Sequence, residues 1–261
     1  MHLLRNLLHR RKSNLFLLLG REFARKFPNN RVQVEKMIWR FGWQKFQLVE
    51  VSNCWINSKR LDNNRQHLLF LQKWANELLY GRIGYVYSLL FVYKHLSDLI
   101  QNNSGQLGIP VETIEIWKML PDVILKAAQK VILEGKTKSD RNVPEYLMYE
   151  WHNKKYLGAA HGVSGILFVL LLASQQFPAL LNQHKQILLN SLDILYDLNA
   201  KTPTGNYPSR FGSRNDELCQ WCHGAVGFVY LYSKAYEVGI DIFDTLGNKT
   251  VFFLISSKNK F

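Results

Sequence analysis

Apolar residues recur every three or four positions along much of this chain, and strict alternation is scarce. His67–Leu79, Val111–Leu133 and Leu180–Leu198 all carry that spacing, which lines one face of an α-helix. Pro110 ahead of Val111 suits a helix start, and Gly135 followed by Lys-Thr-Lys suits a helix end. Turn-forming residues gather at Gln101–Gly108, Lys136–Pro144 and Lys201–Asp216, which read as loops. Residues 66–240 therefore predict an all-α domain of helices joined by loops.

Three segments are apolar almost throughout, and each follows the same short pattern. Tyr80-Gly81-Arg82-Ile83-Gly84 leads into YVYSLLFVY, His161-Gly162-Val163-Ser164-Gly165 into ILFVLLLA, and His223-Gly224-Ala225-Val226-Gly227 into FVYLY. The first glycines lie 81 and 62 residues apart, room for an outgoing and a returning helix between copies. Repetition at that scale predicts one architecture of helical hairpins. A glycine at the loop-to-helix junction permits positive φ, and a second three residues on lets neighbouring backbone approach. A helix apolar all round belongs to an inner layer covered on both sides. The expected fold is an α/α toroid whose loop end gathers Tyr80, His161, Cys222 and His223.

Charge separates an N-terminal segment from the rest. Residues 1–45 hold 11 Lys and Arg against Glu22 and Glu35, nine of the chain's thirteen net positive charges. The start, MHLLRNLLHRRKSNLFLLLG, is compatible with a presequence, a membrane-surface helix or a basic extension. No nucleic-acid-binding motif accompanies the charge, and no nucleic-acid partner is expected. The longest purely apolar run, Ile166–Ala173, is far short of a bilayer span. With only Cys54, Cys219 and Cys222, a disulfide framework is not expected and a reducing compartment is. The expected location is the cytoplasm, with peripheral contact at the plasma membrane through the basic N-terminus.

The densest chemistry lies in CQWCHGAVG, residues 219–227. Cys219-Gln-Trp-Cys222-His223 fits a c-type haem attachment signature literally. Yet His223 fills the slot that His161 fills in the second repeat, where no cysteine stands, so the shared template explains it without haem. A thioredoxin-like pair needs a preceding strand in a βαβ setting, and none is visible. Two readings of Cys222 stay open on the residues alone: a small buried hydrophobe, or a zinc ligand at a helix N-terminus, where the dipole and the metal both favour thiolate.

The segments ELLYGRIGYVYSLLF (77–91), YLMYEWHNKKYLGAAHGVSGIL (146–167), GNYPS (205–209) and WCHGAVGFVYLYSKAY (221–236), in that order, resemble the eukaryotic LanC-like proteins, relatives of the bacterial lanthipeptide cyclases. The resemblance covers about residues 66–238. It implies an α/α toroid with a central zinc held by two cysteines and a histidine, Cys222 matching the first of these. It also implies an activity: zinc-bound glutathione thiolate adds to dehydroalanine or dehydrobutyrine in peptides or proteins. His161 then matches the active-site histidine that handles protons at the enolate carbon, and His223 is an assisting donor. Arg82 and Tyr149 line up with family motifs as further site residues, while an ion-pair partner and a core aromatic are the structural alternatives for the two. The family's other two zinc ligands sit in a later Cys-His-Gly repeat with no counterpart here, and its opening glycine-rich repeats are not recognisable in residues 1–65. An incomplete toroid over 66–240 is therefore expected, C-terminally truncated, between a basic segment (1–65) and a divergent tail (241–261). Such a ring exposes apolar flanks of inner helices.

Two other functions compete with thiol transfer. A non-catalytic LanC-like module would bind partners, or membranes through its basic N-terminus. A glycosidase on the same architecture would need paired carboxylates, and Glu145, Glu150 and Asp216 show no such pairing in the sequence.

Overall fold

The computed structural model describes residues 74–102, 111–137, 143–199, 202 and 204–240. Cys54, the basic segment and the tail 241–261 lie outside the described residues. All described residues belong to one compact unit, Asn64–Phe261.

The described elements are five helices, α1 (Arg82–Asn102), α2 (Val111–Gly135), α3 (Val163–Gln176), α4 (Pro178–Asn199) and α5 (Ala225–Glu237). Beside them stand three isolated antiparallel bridges, Lys136 with Leu147, Trp151 with Lys154, and Tyr156 with Arg210. The spacings over Val111–Leu133 and Leu180–Leu198 become α2 and α4. The spacing over His67–Leu79 does not become a helix across residues 74–79, which form bends and turns. The cause is local: the Glu77 carboxylate accepts the backbone N–H groups of Leu79 and Tyr80, bonds that a helix would send elsewhere.

The three helices that follow the glycine pattern form an inner row. Helix α3 lies between α1 and α5 and packs against α2 and α4 as well. Val163, Ile166, Leu167, Val169, Leu170, Leu171 and Ala173 are all buried, which covers its whole circumference. Each such Val, Leu or Ile contributes about 1.5–3 kcal/mol by leaving water. The pairs α1/α2 and α3/α4 are hairpins with the second helix outside. This is part of an α/α toroid. Helix α5 turns Phe228, Leu231 and Ala235 inward, while Val226, Val229, Tyr230 and Tyr236 form an exposed apolar stripe on its other side.

The glycines serve close approach more than positive φ. A methyl group at Gly81, Gly84, Gly162, Gly165, Gly224 or Gly227 would overlap the carbonyl oxygen of the residue six places earlier: Ala75, Leu78, Tyr156, Ala159, Leu218 or Trp221. All three loops thus fold back on the helix they introduce in the same way. Only Gly224, at φ 96°, also needs the left-handed region; Gly162 is extended at φ −110°.

Candidate functional site

The shared loop conformation brings equivalent residues of the three repeats to one end of the inner row. Tyr80 and His161, each immediately before its first glycine, stack with ring centres 6.0 Å apart. Trp151 lies nearly parallel to the His161 ring at 4.2 Å. Tyr156 joins the group to the third repeat, its ring 6.2 Å from His161 and 6.3 Å from His223.

His161 is held by its edge as well as its faces. Its Nδ1 lies 2.8 Å from Glu77 Oε2, with the histidine side chain 19% and the carboxylate 1% exposed. Glu77 also accepts from the backbone N–H of Leu79 at 2.9 Å and from that of Tyr80. A carboxylate serving three N–H groups acts purely as an acceptor, so Nδ1 carries the hydrogen and donates it. Nε2 has no hydrogen-bond partner among the described residues and is the nitrogen left for chemistry. Glu77 is a site residue that sequence reasoning missed. Its one signal was to be the single acid in ELLYGRIGYVYSLLF, four residues before the first glycine.

The third repeat differs from the others at one point. In the first two, the amide after the first glycine bonds directly to a carbonyl seven residues back, Arg82 to Ala75 at 2.7 Å and Val163 to Tyr156 at 3.1 Å. In the third, the Asn206 carboxamide stands between the two groups. Its Oδ1 accepts from Ala225 N–H at 2.7 Å, and its Nδ2 donates to the Leu218 carbonyl at 2.9 Å. Nδ2 donates as well to Asp216 O at 2.6 Å, and Oδ1 accepts from Tyr207 N–H at 2.8 Å. Every hydrogen-bonding position of the amide is filled, and the loop carrying Cys219, Cys222 and His223 hangs from it. Asn206 lies in the GNYPS segment, whose sequence alone gave it no task.

Within that loop Cys222 is half-buried and Cys219 exposed. The Cys222 thiol donates to Gln220 Oε1 at 3.3 Å. The Cys222 carbonyl packs on Gly158, where a methyl group would overlap it. His223 Nδ1 is buried without a hydrogen-bond partner. Burial, and secondarily the charge of His161, hold the His223 imidazole below its ordinary pKa.

Arg82 and Tyr149 gather elsewhere, around the end of α2. Arg82 is fully buried, ion-paired with Glu134 and bonded through Nη1 to Asn76 Oδ1 at 2.5 Å and through Nη2 to Trp74 O at 3.2 Å. Burial alone would raise the Glu134 pKa, but hydrogen bonds from Arg82 and Asn76 and the Arg82 charge outweigh it and hold the carboxyl below its usual range. Tyr149 donates to the Val131 carbonyl at 3.1 Å and lies against Gly135. Burial first, then the Glu134 charge, raises its pKa far beyond that of an ordinary phenol. The cluster clamps residues 74–76, immediately before Glu77. Of the carboxylates a glycosidase could use, Glu145 pairs with Lys136, and Asp216 accepts from the Thr204 amide and hydroxyl.

The family profile described as "Lanthionine synthetase C-like protein" matches residues 46–252. The chain belongs to this family. The match runs further at both ends than the four motifs reach. Among relatives, the zebrafish (Danio rerio) "Glutathione S-transferase LANCL1" is 37% identical over 163 residues, 62% of this chain and 36% of the relative. The Arabidopsis thaliana "LanC-like protein GCL1" is 31% identical over 164 residues, 62% of this chain and 32% of the relative. The matched part thus spans about a third of each relative's length.

A catalytic zinc of the kind this LanC-like resemblance implies takes three protein ligands. Among the described residues no three His, Cys, Asp or Glu side chains stand close enough together to hold a metal ion. Cys222 and the unpartnered His223 Nδ1 supply two donors at most, so the described residues do not fit the metal. No helix of the described residues is long and apolar enough to cross a membrane.

Proposed function

We propose that this chain adds a thiol, glutathione by analogy with its zebrafish relative, to the double bond of dehydroalanine or dehydrobutyrine residues in peptides. The observation that carries the reading is the Glu77–His161 pair, buried on its carboxylate side and open at Nε2. In the addition the sulfur bonds to the β-carbon, the π electrons move toward the amide carbonyl as an enolate, and the α-carbon then takes a proton. His161 Nε2 accepts the thiol proton and delivers it to the α-carbon. Glu77 stabilises the imidazolium in between and fixes the ring's orientation. His223, kept neutral by burial, donates a hydrogen bond to the enolate oxygen. Arg82 and Tyr149 act as positioning residues, through the loop that carries Glu77.

Zinc at Cys222 would require donors from outside the described residues. The test is mass spectrometry of a dehydroalanine peptide incubated with glutathione and the protein. The expected result is a gain of one glutathione per dehydroalanine, well above the protein-free rate and falling to that rate in His161→Gln. Equal rates with and without protein would overturn it.

The concentration of nine of the chain's thirteen net positive charges in residues 1–45 favours a second reading, a non-catalytic LanC-like binding module. Its basic segment, residues 1–45, would contact acidic membrane surfaces. It predicts salt-sensitive liposome binding that deletion of that segment abolishes, and no adduct in the same assay.

A further inference from the structure

We propose that Lys154 and Arg210 bind a carboxylate of the thiol co-substrate at the rim of the His161 site; the proposal rests on the thiol-addition reading. The rim is a small antiparallel ribbon. Trp151 and Lys154 exchange both backbone hydrogen bonds, at 3.0 and 3.1 Å, across His152 and Asn153. Those two residues sit at φ 48° and 58°, the left-handed pair that closes a tight two-residue hairpin. Further along, Leu157 N–H bonds to Ser209 O at 3.1 Å and Phe211 N–H to Lys155 O at 2.8 Å, which sets Tyr156 directly opposite Arg210.

Residues opposite one another in an antiparallel pair project to the same face, and so do residues two apart on one strand. Trp151, Lys154, Tyr156 and Arg210 therefore share a face, and it is the face from which Trp151 and Tyr156 cover His161. Both cations on it are exposed, and neither has an ion-pair partner among the described residues. Lys155 alternates to the opposite face, and Glu150, next to Trp151, alternates away as well. Two unpaired cations beside a proton-handling histidine suit an anionic reactant, and an arginine fork matches a carboxylate's two oxygens. Glutathione carries two carboxylates, whereas its dehydroamino-acid acceptor carries its reactive group uncharged.

The test is calorimetric titration of the full chain with S-methylglutathione, which keeps both carboxylates and has no free thiol. The double variant K154A/R210A is expected to weaken binding by about fivefold or more, with smaller losses at high salt. K155A, which removes one cation from the other face, is expected to change it by less than about twofold. The diethyl ester should bind the unaltered chain no better than the free acid binds the double variant.

Absence of S-methylglutathione binding, K155A matching the double variant, or an ester as tight as the acid each overturns the assignment. So does weakening of an acidic peptide, but not S-methylglutathione, by the double variant. Addition of glutathione to a dehydroalanine peptide by the unaltered chain, followed by mass spectrometry, tests the functional reading by itself. Its absence sinks that reading whatever the titrations show, and its presence with flat titrations sinks only the carboxylate site.

Discussion

Glu77 and His161 stand 84 residues apart in the chain and are joined by a 2.8 Å hydrogen bond that places a buried carboxylate behind an imidazole. One precedes α1 and the other precedes α3, so the pair exists only because the first two repeat loops fold alike and their helices lie side by side. Changing Glu77 to Gln keeps the volume and removes the charge that stabilises an imidazolium. The expected result is a fall of about a hundredfold in thiol-addition rate. The melting temperature should fall as well, because the Leu79 and Tyr80 amides lose a charged acceptor. Adduct formation followed by mass spectrometry and a thermal melt check the two effects separately.

His223 makes the fold sensitive to acid in a defined direction. In the unfolded chain it titrates near its ordinary value, about 6.5. In the folded chain burial, and then the His161 charge, hold it lower. Between those values the unfolded state binds the extra proton, so the contribution from His223 is fully present above about pH 6.5 and is lost as pH falls through that interval. Imidazole NMR should show the lowered titration directly. Replacing His161 with Gln should move it only part of the way back, since burial is the larger cause.

Gly158 sets how closely the second and third loops approach. A methyl group there would overlap the Cys222 carbonyl, and the backbone atoms on both sides are fixed by hydrogen bonds. Gly158→Ala is expected to cost about 1–3 kcal/mol and to push the Cys222 loop away from Tyr156. Denaturant unfolding measures the first effect. Faster reaction of the Cys222 thiol with an alkylating reagent measures the second.

Asn206 should behave as a helix cap and a loop tether together. Removing its carboxamide in Asn206→Ala strands the Ala225 and Tyr207 amides and the Leu218 and Asp216 carbonyls. The expected loss is about 2–4 kcal/mol. Asn206→Asp keeps the acceptor and loses both donors, so it should fall between the two. Hydrogen exchange at the Ala225 amide should quicken in the Ala variant and stay slow in the Asp variant.

What the sequence disclosed about this site divides along a physical line. The repeated Gly-x-x-Gly and the apolar run behind each copy announced the inner helices, because chain pattern and burial carry the same period. Tyr80, His161 and His223 could be placed together from their equivalent positions in that repeat. Glu77 and Asn206 could not, because each acts through hydrogen bonds to backbone groups that converge only once the loops have folded. The same interaction at Glu77 defeated the helical spacing over residues 74–79, since the side chain captures amides that a helix would use. The family resemblance alone makes Arg82 a site residue, and its guanidinium turns to Glu134, a partner 52 residues away whose position no local pattern indicates.

Proton delivery by a positioned imidazole has a stereochemical signature, and reading it is the most direct test of the site. The α-carbon of the adduct becomes a new stereocentre, and a proton arriving from one fixed side gives one epimer, whereas solvent gives both. The measurement is the epimer ratio at that carbon in the glutathione adduct of a dehydroalanine peptide, resolved by chiral chromatography after hydrolysis. Essentially one epimer is expected with the unaltered chain and a mixture with His161→Gln. An equal mixture from the unaltered chain would contradict it.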